Sequence, residues 1–121
     1  MSRQRVGIDI IEIPRIERAI ARWRDIFLTR IYTATELESC HNMIPSLAAR
    51  FAAKEATMKA IGMKGLRWRE IEVISSSNGA PSLQLHGQAL KKSKEAGITD
   101  LSITMSHSKE NAIAMVIGNV V

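Results

Sequence analysis

The chain opens on an alternation of apolar and other positions. Val6-Gly7-Ile8-Asp9-Ile10-Ile11-Glu12-Ile13 reads as a strand, with Val6, Ile8 and Ile10 on one side and Gly7, Asp9 and Ile11 on the other. Asp9 is a carboxylate in an otherwise apolar strand, where intrinsic preference disfavours it. An edge position or a local hydrogen bond would account for it, and so would a metal ion or a catalytic base. Pro14 then begins a helix, at the turn where its missing N–H costs nothing. Ile16, Ile20, Trp23 and Phe27 form its apolar stripe. Arg15, Arg18 and Arg22 form a basic stripe beside it, which Glu17 and Asp25 offset only in part. Thr33-Ala34-Thr35-Glu36 has the spacing of a capping box and predicts a short helix through about His41. Pro45-Ser46 breaks the chain, and Ser46 is the expected N-cap of the next helix.

That next helix, from Arg50 to Gly62, is the clearest helical segment. Ala, Lys, Glu and Met favour it, no proline interrupts it, and Gly62 supplies the stop. Phe51, Glu55, Met58 and Gly62 share a side, so Glu55 and Lys59 sit among Phe51, Ala48 and Ala52, away from a charged outer face. A Glu followed by a Lys four residues on is a good helix pair, and on spacing alone that structural reading is the simpler one. The other reading is a site that needs a carboxylate and an ammonium.

Gly62 to Arg69 is a short basic loop whose amides and cations suit phosphate, although it has no Walker-type spacing. Strands over 70–76 and 82–86 flank the turn Ser77-Asn78-Gly79-Ala80-Pro81. A helix over 87–96 follows, with Lys91, Lys92 and Lys94 toward solvent. Leu101 to His107 alternates, and Ala112 to Ile117 is apolar almost throughout, which marks a central strand. His41 reads as a surface residue, and His107, where strand meets turn, as a structural one. The order of elements predicts an α+β fold with a mainly antiparallel sheet, as one domain over 1–121.

Composition narrows the partners. At 121 residues and 45% apolar, the chain can bury one core. No apolar run approaches the ~20 residues of a membrane helix. A single cysteine forbids an intrachain disulfide, and without a signal-peptide pattern a cytoplasmic location is the simplest expectation. A net charge of +5 calls for an acidic partner: nucleic acid, an anionic membrane, a phosphorylated small molecule or an acidic protein. Aromatics at 4% argue against a base-stacking platform.

Three segments together resemble a known family. They are Gly7-Ile8-Asp9-Ile10 running on to Arg15-Ile16, the 50–62 helix with its Phe51-Ala52-Ala53-Lys54-Glu55-Ala56 core and Lys59-Ala60, and Ser102-Ile103-Thr104-Met105-Ser106-His107 before the last strand. Their order and spacing resemble the 4′-phosphopantetheinyl transferases, in particular the short holo-[acyl-carrier-protein] synthases. The resemblance implies transfer of the phosphopantetheine arm of coenzyme A to a serine of an apo acyl carrier protein, leaving adenosine 3′,5′-bisphosphate. It implies Mg²⁺ held by Asp9 and Glu55, and Mn²⁺ suits the same ligands. It further implies catalytic roles for Asp9, Glu55, Lys59 and His107, and coenzyme A contacts from Arg50, Lys54, Lys59, Ser106 and His107. The serine proton would go to Glu55 or to a metal-bound water. Arg15, Arg18 and Arg22 would dock the acidic carrier, and the chain would form a homotrimer with its sites between subunits. The loop from Gly62 to Arg69 is shorter than the family's glycine-rich loop, so no nucleotide contact is carried over to Lys64, Arg67 or Asn78. Two other classes stay open: a small basic nucleic-acid-binding domain, against which the acidic Asp9 and Glu55 count, and a non-catalytic assembly protein.

Overall fold

Strand β1 (Arg3–Glu12) pairs antiparallel with β5 (Asn111–Val120), and β5 pairs antiparallel with β4 (Ile98–His107). The sheet order β1-β5-β4 puts the apolar last strand in the centre, as its composition predicts. The computed structural model describes residues 3–65 and 68–121. Strands β2 (Ile71–Ser75) and β3 (Pro81–Leu85) form a separate antiparallel hairpin, so the antiparallel strands fall into two sheets. Its turn is held by Asn78, whose side-chain oxygen accepts from Ala80 N (3.0 Å) and from Ser76 Oγ.

Helix α4 (Ile44–Ile61) lies across the inner face of the three-stranded sheet. Its Ala48, Ala52, Ala53, Ala56 and Ala60 are buried in one cluster with Ile11, Ala112, Ala114 and Val116. Small residues on both sides let helix and sheet approach closely. At Gly7 the approach is so close that a Cβ would stand 1.8 Å from the Ala56 carbonyl oxygen and 2.9 Å from Ala60 N. The helix starts earlier than expected: Met43 is the N-cap and Ser46 lies inside. Pro45 in the first turn removes an N–H that would have had no partner, so the helix begins one residue before the proline instead of after it. Gly62 ends the helix as predicted, in the left-handed region at φ 78°, donating to Met58 O.

The predicted helix after Pro14 is two helices, α1 (Ile13–Trp23) and α2 (Asp25–Ile31), broken where Arg24 takes φ 48°. The break takes Trp23 out of the expected stripe, leaving it 51% exposed. Phe27 and Ile31 turn inward onto Tyr32, Cys40 and Leu47. Helix α3 (Ala34–Cys40) carries both halves of the capping box between Thr33 and Glu36. Helix α5 (Gly87–Glu95) begins where the Glu70 carboxylate accepts from Ala89 N at 3.0 Å.

The outer face of the sheet is uncovered. Val6, Ile8 and Ile10 are 56%, 51% and 62% exposed. The pairing aligns them with Ile117, Met115 and Ile113 of β5, and those with Ser102, Thr104 and Ser106 of β4.

Candidate active site

Strand β1 and helix α4 meet where neither has a bulky side chain, and the charged residues gather just beyond that crossing. Asp9 follows Gly7 by two residues and so points to the same, inner side. Lys59, beside Ala60, donates from Nζ to the Ile8 carbonyl (2.8 Å) and to Asp9 Oδ1 (3.2 Å). Its ion pair thus runs to another element, which the helix-pair reading of Glu55 and Lys59 did not include. Glu55 is partly buried one turn earlier. Burial, and then the charge of Asp9, push its carboxyl above the usual 4.5, while Lys59 and Arg15 pull it back. Four residues from three segments therefore share one electrostatic neighbourhood: Asp9, Arg15, Glu55 and Lys59. Two hard carboxylates are the donor set that Mg²⁺ takes from a protein, the remaining places going to water and phosphate oxygens. Among the described residues no group of three His, Cys, Asp or Glu side chains is gathered for a metal, so the pair is what a cation would have.

Arg50 and Lys54 lie on the other side of α4. Lys54 is fully buried, and its three protons go to Glu36 Oε1 (2.8 Å), Trp68 O (3.1 Å) and Ile71 O (2.5 Å). The resemblance implies a coenzyme A contact by Lys54, and the structure turns its ammonium inward, out of solvent. In this chain it is a structural lysine that ties α4 to α3 and to the start of β2. Burial lowers its affinity for a proton and Glu36 raises it again. Glu36 is the residue that sequence reasoning missed. Read as a helix cap only, it also accepts from Lys54 and from Val73 N (2.9 Å), wholly out of solvent. A capping box within reach of a lysine-bearing helix carries no such signal in one dimension. Arg50 is buried too, with Nη2 on Ser75 Oγ (2.8 Å), but its Nε has no partner among the described residues.

His107 and Ser106 stand at the end of β4. Register puts His107 opposite Ala112 and Ile11, two strands and two residues from Asp9. That is roughly 12 Å between Cα atoms. Within one chain they are not neighbours of the carboxylates. Ser106 and His107, with Ile10, Ser108, Asn111 and Ile113, line a shallow cavity of about 320 Å³ at the rim of the uncovered sheet face.

Arg15, Arg18 and Arg22 are exposed along α1, with the Arg22 guanidinium 5.0 Å from the centre of the Trp23 ring. Beyond them opens a cleft of about 990 Å³, walled by Trp23, Ile26, Phe27, Phe51 and Trp68 and flanked by Arg30 and Arg69. Lys64 is exposed in the loop after α4, and Arg67 lies outside the described residues.

The family model of the 4′-phosphopantetheinyl transferase superfamily matches residues 5–116. The chain belongs to that superfamily. This transferase is 52% identical over 112 residues to the holo-[acyl-carrier-protein] synthase of Dehalococcoides mccartyi, covering 92% of this chain and 94% of the relative. It is 46% identical to the synthase of Herpetosiphon aurantiacus, over 93% and 95% of the two chains. Its fold matches the crystal structure of Helicobacter pylori holo-[acyl-carrier-protein] synthase in complex with coenzyme A, with a TM-score of 0.85 and 34% identity over 93% of this chain and 98% of that one. These likenesses take away the ground for a nucleic-acid-binding reading. No helix among the described residues is long and apolar enough to cross a membrane.

Proposed function

We propose that this transferase moves the 4′-phosphopantetheine arm of coenzyme A onto a serine of apo acyl carrier protein in the cytoplasm, releasing adenosine 3′,5′-bisphosphate. The observation that carries the reading is the meeting of Asp9, Glu55 and Lys59 at the crossing of β1 and α4. Asp9 and Glu55 would hold Mg²⁺, which, when bound, neutralises pyrophosphate charge as the leaving group departs. Lys59, exposed beside them, places a cation for the same pyrophosphate. Glu55 holds its proton more tightly than an ordinary carboxylate, which suits the group asked to take the serine proton. Arg50, with an unused buried donor, is the nucleotide-phosphate candidate that remains on α4, and Ser106 and His107 would contact the nucleotide end.

The acidic carrier would meet the exposed arginines of α1, with the neighbouring apolar cleft as its seat. The uncovered face of Val6, Ile8 and Ile10 supports a homotrimer, since contiguous apolar surface of that kind marks an interface. A trimer also supplies what one chain lacks, a His107 beside the carboxylates of its neighbour.

The test is intact-mass spectrometry of an apo carrier protein incubated with coenzyme A and this enzyme, with Mg²⁺ or with excess chelator. A metal-dependent phosphopantetheine adduct is expected, and it should vanish in Asp9→Ala and Glu55→Ala. Full activity in either folded variant would sink the assignment of the site.

A further inference from the structure

Gly7 is buried where β1 meets α4, two residues before Asp9 and against the residue that follows Glu55. A Cβ on it would be 1.8 Å from Ala56 O, 2.8 Å from Ala56 C and 2.9 Å from Ala60 N. All three are backbone atoms of α4, so no side chain can swing aside to make room. Even the tightest contacts real Cβ atoms make, near 3.0 Å, would require β1 and α4 to part by about 1 Å here. The residues flanking this contact are those of the site. Glu55 precedes Ala56, Lys59 precedes Ala60, and Asp9 lies two residues along β1 on the same face. Lys59 already reaches across to Ile8 O and Asp9 Oδ1, so β1 and α4 are in register at this point. Ala56 and Ala60, buried at 0% and 1%, keep the helix side of the crossing equally small.

We infer that Gly7 is a positioning residue, whose missing side chain sets the gap between the Asp9 and Glu55 carboxylates and thereby the size of cation they accept. The inference rests on the proposal that these two residues hold the metal. Metal–oxygen distances of about 2.0–2.1 Å for Mg²⁺ and 2.3–2.6 Å for Ca²⁺ differ by less than the displacement a methyl would force. A widened gap therefore costs the smaller ion more than the larger one.

The experiment is Mn²⁺ binding by electron paramagnetic resonance, with equal coenzyme A in every sample and a protein-free blank, followed by displacement with Mg²⁺ or Ca²⁺. Gly7→Ala is expected to weaken Mn²⁺ by about tenfold or more and to shift the Mg²⁺-to-Ca²⁺ displacement ratio toward Ca²⁺ by a similar factor. A companion on the helix side, Ala56→Ser, adds one atom at a wholly buried position and is expected to shift the ratio the same way by less. Mere loss of stability would lower the bound fraction without changing which ion is preferred. An unchanged ratio in folded Gly7→Ala, or in Ala56→Ser where Gly7→Ala does not fold, overturns the inference. Asp9→Asn separates the two levels: undiminished Mn²⁺ binding there overturns the metal assignment itself, and the role of Gly7 with it.

Discussion

Removing Glu36 should be among the costliest single changes in this protein. Glu36→Ala deletes the carboxylate that pairs with Lys54 at 2.8 Å, where both side chains have no solvent exposure. The ammonium keeps two carbonyl acceptors, Trp68 O and Ile71 O, but loses its counter-charge, and Val73 N and Thr33 N lose their acceptor. Breaking a buried pair from one side typically costs about 3–5 kcal/mol. A domain of this size has roughly 5–15 kcal/mol to lose. Lys54→Met should cost somewhat less, because Glu36 retains its two backbone donors. The double variant Glu36→Ala/Lys54→Met should lose at least ~1 kcal/mol less than the two single losses combined, since no uncompensated charge stays buried. Urea unfolding of the four proteins measures this. The same variants also probe the nucleotide. If Lys54 is structural, folded Lys54→Met binds coenzyme A within about threefold of the parent, as befits a charge with no ligand contact. A folded Lys54→Met protein that has lost coenzyme A would refute the reasoning.

Three further outcomes are expected. Glu55 titrates above the usual 4.5 in the folded chain, so its ionisation opposes folding. The stability it favours is present below its unfolded pKa and is lost as pH rises through the folded one. Metal-free Glu55→Gln should therefore match the parent in melting temperature at the acid end and exceed it near neutrality, whereas a lower value at neutral pH would contradict the assignment. Replacing Ile8, 51% exposed at the middle of the open sheet face, by Glu should convert trimers to monomers by analytical ultracentrifugation with unchanged circular dichroism. A persistent trimer would move the interface elsewhere. Arg18→Glu should raise KM for the carrier several-fold at low salt and less at high salt, with KM for coenzyme A unmoved, because Arg18 is exposed and distant screening is strong. Equal effects on both substrates would deny the docking role.

Much of this was legible in one dimension because it rests on local rules. The capping box at Thr33 and Glu36, the stop at Gly62 and the central β5 each follow from a few adjacent residues. Asp9 stood out for the same reason, a carboxylate in an apolar strand. What stayed hidden depends on what other elements supply. Val6, Ile8 and Ile10 look like a core face, but α4 takes the opposite side, where Gly7 allows the approach, so the large residues are left outside. Lys54 and Lys59 are both cations on one helix, five residues apart. Rotation about the helix axis sends one to Glu36 in the core and the other to Asp9 at the rim, and nothing local distinguishes them. The break at Arg24 is a third case, since no glycine or proline marks a left-handed residue there.

The pairing of β1 with β5 has a consequence for how the enzyme comes into being. The strand bearing Asp9 is made well before its hydrogen-bonded strand neighbour among the described residues, Asn111–Val120, which follows about a hundred residues later. Until then Val6, Ile8 and Ile10 form an unpaired apolar edge, and α4 has only part of the surface it packs on. Contacts of such long sequence separation slow folding and prolong the exposure of sticky intermediates. A ribosome stalled before residue 111 would thus carry both carboxylates but no assembled site. Mutations in β5, which itself carries no charged residue, should surface as low yield in cells before they surface as low activity.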